Sequence, residues 1–312
     1  MHGRLTVLGW HNVESSWCFP LPPGGPRGLR RQLLALRGAA RVVPLAEALD
    51  VLAAGGSPPP RTVALTFDDG YRDNLRLAVP LLEELELPAT FFLVPGLLSR
   101  EVRAWWEVVG WAFARSRRGT LSWRGVAYEL QTPEQRRHAY RQVSEQLKGC
   151  DRVARDAAVG ELVSTLRPEG DAGDRDMFLD WHGAREIVRR GFAVGSHSAY
   201  HAILSRESPR EQERDLRRSR DELEERLQTP ATVLAYPNGT ARDYDGHTLA
   251  AAAAAGHRHA LTTVDGRNGP ATPSLQLRRY VVTPVTGRHP ARALARRLLS
   301  RTRRAAGKPD CP

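Results

Sequence analysis

The chain has 312 residues, of which 41% are apolar and 26% charged, and its formal net charge is +11. These values are ordinary for a globular protein and leave room for one large domain or two small ones. No run of about 18 uninterrupted apolar residues occurs, so we predict no transmembrane helix. Three cysteines without close spacing exclude a disulfide framework and a zinc knuckle.

Much of the positive charge lies in one segment at the end of the chain. Residues 288–312 contain seven Arg and one Lys against one Asp, a net charge of +7. The apolar residues there fall on one helical stripe, which predicts either weak contact with an anionic membrane or a solvated end. No nucleic-acid-binding module is recognisable, and we expect no nucleic-acid partner.

The start of the chain resembles a strand and lacks the long apolar core of a signal peptide. We therefore expect a cytoplasmic protein. A misassigned start would instead place it at the cell surface or outside the cell.

Apolar runs and helical periodicity alternate along the first hundred residues, which favours an α/β fold. We predict strands at residues 4–8, 63–67 and 89–94, and helices at 29–36, 45–53 and 74–85. The run at 63–67 is apolar except for one threonine, as is typical of a strand buried on both faces. Repeated strand–helix units predict parallel strands in a barrel or an open sheet, and a barrel carries its catalytic groups at the carboxyl ends of the strands.

This alternation stops from about residue 100 to residue 177, where we predict a mostly helical insertion with a charged helix at residues 134–147. The insertion contains four tryptophans: Trp105, Trp106, Trp111 and Trp123. These rings either pack the insertion against the rest of the protein or place one of their number in a sugar-binding cleft.

The alternation resumes after the insertion. Asp180 precedes a helical stretch at residues 183–190, and we expect it to lie in the N-cap region of that helix rather than in an active site. An alanine-rich helix is predicted at residues 246–256 and a strand at 260–264.

Two short motifs carry the chemistry. Asp68 and Asp69 follow an apolar run, and adjacent aspartates cannot both be buried as anions without a cation or a proton between them. His197 and His201 can converge on one metal ion if their segment is helical or tightly turned. One aspartate and two histidines form a three-ligand site with room for water, as a hydrolytic metal requires, and the other aspartate is then free to act as a base.

On these residues the chain resembles the polysaccharide deacetylases that share the NodB homology domain, carbohydrate esterase family 4. Residues 66–70 (TFDDG) and 197–201 (HSAYH) match two motifs of that family, and residues 235–239 (AYPNG) resemble a variant of its third motif. His11, within GWHNV, and Tyr71, after TFDDG, resemble the subgroup that includes poly-β-1,6-N-acetylglucosamine deacetylases.

The resemblance implies a distorted (β/α) barrel of about seven or eight strands, with residues 1–287 as the catalytic domain and 288–312 as a basic tail. It implies a metal-dependent hydrolase that removes acetyl groups from an N-acetylated polysaccharide or glycan. Zinc is the expected ion, with cobalt and other divalent ions as alternatives. Alternative functions are O-acetyl ester cleavage, a glycan-binding relic with little or no turnover, and a membrane-peripheral scaffold that acts through the tail.

The resemblance also assigns roles to single residues. Asp69, His197 and His201 would hold the metal, and Asp68 would act as general base. A backbone N–H near Asn238 would stabilise the oxyanion. The expected substrate-binding residues are Tyr236, Pro237 and His11, although His11 could instead cap the first strand.

Two departures from the family pattern affect these roles. Ala235 stands where the family has an arginine that orients the base, and we expect Arg279 or Arg278 to supply the guanidinium instead. The family's late Leu-x-His motif, which provides a general acid, is missing. The acid is therefore one of three histidines or is absent, and the candidates are His11, His257 and His259.

Overall fold

A computed structural model of the protein describes residues 3–14, 16–18 and 24–282, so the predicted tail at 288–312 lies outside the described residues. The strands are β1 (Thr6–Trp10), β2 (Arg41–Val42), β3 (Thr62–Phe67), β4 (Thr90–Leu93), β5 (Thr120–Trp123), β6 (Val126–Glu129), β7 (Ala193–Ser196), β8 (Val233–Ala235), β9 (His259–Leu261) and β10 (Tyr280–Val281).

The α-helices are α1 (Gly25–Ala39), α2 (Leu45–Ala53), α3 (Val79–Glu84), α4 (Pro95–Leu98), α5 (Trp105–Arg115), α6 (Pro133–Leu147), α7 (Arg152–Leu166), α8 (Asp174–Met177), α9 (Trp181–Arg189), α10 (Pro209–Leu227) and α11 (Gly246–Ala254). A π-helical turn (Asn74–Ala78) and a 3₁₀ turn (Leu204–Arg206) complete the helical segments. Within the described part of the chain, no helix combines the length and the apolar character needed to cross a membrane.

The main sheet is parallel, has eight strands and curls into a barrel. Its strand order is β10-β1-β3-β4-β7-β8-β9, with β2 also paired to β3. The segment that contains β10 closes this row. Tyr280 of β10 pairs with Leu8 of β1 at one end, and Leu277, just before β10, bridges Leu261 of β9 at the other end. The distorted (β/α) barrel expected from the family resemblance is confirmed.

Alternate residues of the central strands divide between two hydrophobic cores, as the two-residue period of a strand requires. One set packs beneath α1, α3 and α9, and its members include Leu8, Leu65, Phe67 and Phe91. The other set meets inside the barrel and includes Val7, Ala64, Phe92 and Leu261. All six residues of β3 are buried, and four of the six are apolar, as suits a strand covered on both faces.

The elements predicted for the barrel are largely confirmed. Helix α2 has the predicted bounds, and β3 is one residue longer than its prediction. Helix α1 begins at Gly25, earlier than predicted, because Pro26 is well suited to a first helical turn in which its missing N–H is not needed. The N-cap position of Asp180 is also confirmed, since its side chain accepts a hydrogen bond from the Gly183 N–H at 2.8 Å.

The helix predicted at residues 74–85 begins instead with the π-helical turn Asn74–Ala78, and α3 follows it. Pro80 lies in the first turn of α3. Proline has no N–H to donate, and in a helix its ring crowds the carbonyl four residues earlier. A wider turn immediately before Pro80 relieves both problems.

The insertion folds around a core of its own. Helices α5, α6 and α7 pack with the antiparallel β5–β6 hairpin, and three of the four tryptophans are buried there: Trp105, Trp111 and Trp123. The hairpin was not predicted. It turns at Arg124 and Gly125, whose φ angles of 48° and 78° are those that a two-residue turn between antiparallel strands favours.

Candidate metal centre and active site

The predicted ligands and base lie at the carboxyl ends of neighbouring strands. Asp68 and Asp69 follow β3, and His197 follows β7, with β4 between these two strands. Asp69 has a left-handed φ of 69°, which aspartate tolerates better than most residues, and Gly70 continues the turn at 74°. The turn ends β3 and leaves both carboxylates at one rim of the barrel.

Asp69, His197 and His201 form a buried cluster in which the ligand atoms all lie within 4.8 Å of one another. The Asp69 Oδ1 atom is 3.2 Å from His197 Nε2 and 3.3 Å from His201 Nε2. Two ligands of a tetrahedral zinc ion, each about 2.1 Å from the metal, are separated by about 3.4 Å. The spacing of these three atoms therefore fits one shared divalent cation.

The hydrogen bonding of His197 supports the same conclusion. Its Nδ1 atom lies 2.7 Å from the Ala235 carbonyl oxygen, which can only accept, so Nδ1 carries a proton, and in the neutral ring that a metal ligand requires Nε2 presents a lone pair. That lone pair faces Asp69 Oδ1, a buried atom with no hydrogen-bond donor among the described residues. A cation between the two atoms would remove this repulsion, and the Ala235 contact would hold the ligand's orientation.

Asp68 is paired with an arginine from the end of the described chain. Arg279 is fully buried, and its Nη1 atom donates to Asp68 Oδ1 at 2.7 Å. Burial alone would raise the pKa of Asp68, but the Arg279 guanidinium, together with His197 and His11 nearby, outweighs burial and holds that pKa below its usual value. Asp68 is therefore an anion at neutral pH.

Of Arg278 and Arg279, the two candidates to supply the guanidinium beside the base, Arg279 is the one that contacts Asp68. Arg278 is exposed and its side chain runs beside Gly266, away from Asp68. Gly9 of β1 makes room for the buried guanidinium, because a Cβ atom at that position would lie 3.1 Å from Arg279 Nη1. Arg279 thus stands beside Asp68 although the usual motif position holds Ala235.

Among the three histidines considered as the general acid, the structure brings His11 to the site. His11 Nε2 lies 4.0 Å from Asp68 Oδ2, and its side chain is 24% exposed. His259 begins β9, at the opposite end of the barrel from the carboxyl ends of the strands. His257 is buried beyond the end of α11, where burial lowers its pKa to about 4.

The residues of the third motif lie in the turn after β8. Asn238 has a φ of 55°, and its carbonyl accepts a hydrogen bond from Thr263 Oγ1 at 2.6 Å. Tyr236 lies in the core: its fully buried ring stacks on Tyr244, and its hydroxyl donates to the Leu275 carbonyl at 3.0 Å. Its predicted contact with substrate stays a prediction. Pro237 is also buried, so its predicted contact with substrate stays a prediction.

Sequence reasoning missed several residues around the cluster. Trp106 packs its ring against His201, with centroids 4.2 Å apart, and donates a hydrogen bond to the Tyr71 hydroxyl at 2.9 Å. Asp215 of α10 accepts a hydrogen bond from the Ala199 N–H at 2.6 Å, in the loop between the two histidines. The signals for these contacts in the sequence were weak. Tyr71 adjoins TFDDG, and Glu107, which accepts a hydrogen bond from the Tyr71 hydroxyl, is an acidic residue in an apolar helix.

Comparison with known proteins decides the family. The model of the polysaccharide deacetylase family matches residues 55–260, which include both strand-end motifs and the third motif. The chain belongs to the polysaccharide deacetylase family.

A Bacillus subtilis (strain 168) protein named for the same family, YxkH, is 21% identical over 263 residues, which cover 84% of this chain and 66% of that protein. This deacetylase-family chain thus spans slightly less than two thirds of the length of its curated relative.

Solved structures share the fold. PplD, a deacetylase of Streptococcus pyogenes, superposes with a TM-score of 0.60 at 19% identity, covering 91% of this chain and 94% of that one. IcaB from Ammonifex degensii gives a TM-score of 0.60 at 21% identity, and the superposition covers 96% of this chain and 98% of IcaB. The deacetylase domain of BpsB from Bordetella bronchiseptica gives 0.57 at 18% identity, with 89% and 95% covered. The barrel with its insertion is therefore the fold of known deacetylases.

Proposed function

We propose that this member of the polysaccharide deacetylase family is a metal-dependent N-deacetylase. It would hydrolyse the acetamide C–N bond of an N-acetylated glycan and release acetate and a free amino sugar. One observation carries this proposal: the buried Asp68–Arg279 pair lies beside the cluster of three ligand candidates. A site that only bound glycan would not need a second, non-ligating carboxylate held as an anion.

Asp69, His197 and His201 are the proposed metal ligands. Zinc suits a set of two imidazoles and one carboxylate, and the same set accepts cobalt and other divalent ions. When bound, such an ion polarises the acetyl carbonyl and lowers the pKa of a water molecule.

Asp68 is the proposed general base. Its ionised carboxylate would accept a proton from the attacking water, and Arg279 would keep that carboxylate oriented and anionic until then. The water oxygen forms a bond to the carbonyl carbon as the proton moves to Asp68. A backbone N–H in the turn at Asn238 would stabilise the resulting oxyanion.

His11 is the proposed general acid. The amine of an acetamide leaves only with an added proton, whereas the alcohol of an ester is a better leaving group. A histidine 4.0 Å from the carboxylate of the base is placed to deliver this proton as the C–N bond breaks. This placement favours the N-deacetylase over an O-acetyl esterase.

The test is acetate release from N-acetylglucosamine oligomers by the zinc- or cobalt-loaded protein. The β-1,6-linked oligomer is the first choice, because the GWHNV segment that carries His11 resembles the subgroup that includes poly-β-1,6-N-acetylglucosamine deacetylases, and the β-1,4-linked oligomer is the comparison. Asp68→Asn keeps the size of the side chain and removes the base. We expect acetate release to fall by about 10²–10⁴-fold in this variant, which is the usual contribution of a general base.

Asp50→Asn is the matched control, because Asp50 is exposed and pairs with Arg258 away from the site. Full activity in this control with loss in Asp68→Asn supports the proposal. Stoichiometric metal binding without acetate release from either oligomer contradicts it and favours the glycan-binding relic. Release from an O-acetylated sugar alone would favour the esterase.

A further inference from the structure

The two histidines of the proposed metal site are held in different ways. His197 Nδ1 is hydrogen-bonded to the Ala235 carbonyl. His201 Nδ1 is buried and has no hydrogen-bond partner among the described residues. Metal-binding histidines usually depend on a bond at the second ring nitrogen to fix the orientation of the ring. Something other than such a bond must orient His201.

The ring of Trp106 occupies the face of His201. The two ring centroids are 4.2 Å apart with an angle of 44° between the planes, closer than the 5.0 Å between the rings of His201 and His197. His201 also has a left-handed φ of 52°, so its local backbone is not in a favoured conformation. Packing against Trp106 therefore limits the rotation of the His201 ring.

Trp106 is in turn fixed by two buried residues. Its Nε1–H donates to the Tyr71 hydroxyl at 2.9 Å, and the Tyr71 hydroxyl donates to Glu107 Oε1 at 2.6 Å. Glu107 is fully buried and also accepts a hydrogen bond from the Trp17 N–H at 2.8 Å. The indole plane is thus set by a chain of short hydrogen bonds that joins the insertion to the residue after TFDDG.

We propose that Trp106 is a positioning residue for the metal ligand His201, and that Tyr71 and Glu107 hold the Trp106 ring in the orientation that this requires. The insertion would then have a defined role in the active site, which is to complete the support of one ligand. This inference rests on the metal site of the proposed function. It concerns how tightly and in what geometry a metal is held, not which glycan is cleaved.

The test is a cobalt titration of the full-length apo-protein, followed by visible absorption. The test variants are Tyr71→Phe, which removes the hydroxyl but keeps the ring against Phe178, and Trp106→Phe, which keeps an aromatic ring but removes the N–H. We expect each variant to bind cobalt about tenfold to a hundredfold more weakly, with an altered absorption spectrum, as is typical of lost support for a ligand. The double variant should lose no more cobalt affinity than the single variant with the larger loss, because the two residues act as one unit.

Tyr128→Phe is the matched control. Tyr128 is a buried tyrosine of the same insertion, and its hydroxyl accepts a hydrogen bond from Gln146. It should bind cobalt as the wild type does. The inference is overturned if Tyr71→Phe and Trp106→Phe bind within about twofold of the wild type with an unchanged spectrum, or if Tyr128→Phe weakens binding equally.

Failure of the proposed function would look different in the same experiment. A wild-type protein that binds no cobalt would remove the metal site and both proposals with it. A wild-type protein that binds cobalt, with both variants equal to it, would overturn the positioning role alone. Acetate release plays no part in this comparison.

Discussion

The barrel and the insertion contribute to the site in different ways. The barrel supplies the ligand candidates, the proposed base and Arg279 from strand ends and from the segments that adjoin them. The insertion has a separate hydrophobic core and reaches the site through the side chain of Trp106. We infer that changes in the barrel decide whether the reaction occurs, whereas changes in the insertion decide how well the metal is held.

The largest effect should come from breaking the ion pair inside the barrel. Arg279→Met leaves Asp68 buried without its partner, which should cost about 3–5 kcal/mol of unfolding free energy. Without the guanidinium, burial should raise the pKa of Asp68. Acetate release that needs ionised Asp68 should then disappear at a higher pH than in the wild type as the pH is lowered. Urea unfolding and a pH–rate profile measure the two effects.

Arg278→Met is the control for this change, because Arg278 is the exposed neighbour. Its stability should stay within about 0.5 kcal/mol of the wild type, as for most surface substitutions. An equal loss of unfolding free energy in Arg279→Met and Arg278→Met would show that the Asp68–Arg279 ion pair does not stabilise the protein more than a surface arginine does.

The independence of the insertion can be tested in its own core. Trp123→Ala removes a buried ring of the β5–β6 hairpin and should cost the insertion about 3 kcal/mol. Amide hydrogen exchange should speed up in α5, α6 and α7 but not in β1, β3 and β4. Equal acceleration in both regions would mean that barrel and insertion unfold as one unit.

A pH-dependent effect concerns the loop that carries the two histidines. Burial raises the pKa of Asp215 to about 7, so the folded protein keeps a proton there that the unfolded chain has already lost. Between about pH 4 and pH 7 this group lowers stability as pH rises, by up to about 1.4 kcal/mol per pH unit. The stability of Asp215→Asn relative to the wild type should rise over that range and then level off.

Urea unfolding at several pH values measures this difference. Asp221→Asn, an exposed aspartate on the same helix, should show no such rise. A stability difference between Asp215→Asn and the wild type that does not change with pH would contradict the raised pKa of Asp215.

The smallest effect should come from a helix end in the insertion. Thr132 caps α6 with a capping box, in which Thr132 accepts from the Gln135 N–H and the Gln135 side chain accepts from the Thr132 N–H. Thr132→Ala should lower thermal stability by about 1 kcal/mol. Thr165→Ala, an exposed position inside α7, should change it by less than about 0.5 kcal/mol. The reverse order would contradict the capping role.

Much of the barrel could be predicted because its signals are local. A largely apolar run predicts β3, and two motifs with fixed spacing bring three ligand candidates to the carboxyl ends of two strands or to the loop after them. The choice between Arg278 and Arg279 was harder. Neighbouring residues of a strand face opposite sides, and the register of the last strand depends on its pairing with β1 and β9.

The support of His201 could not be predicted, because it depends on contacts between distant parts of the chain. Trp106 and Tyr71 are 35 residues apart, and Trp106 packs both against the core of the insertion and against the cluster that contains Tyr71. Helical periodicity identifies which face of α5 is buried, but not that one of its rings extends to the cluster of ligand candidates. Glu107 was the one local hint, since a buried acid in an apolar helix needs donors from elsewhere.

The closure of the barrel by β10 has a consequence for how the protein is made. The partner of Asp68 is separated from it by 211 positions in the chain, whereas the three ligand candidates are all synthesised by residue 201. A nascent chain therefore carries every metal-ligand candidate well before it carries Arg279. Until the last strand docks, the base has no counter-charge, so a chain that ended before that strand could capture an ion yet would remain an unfinished enzyme.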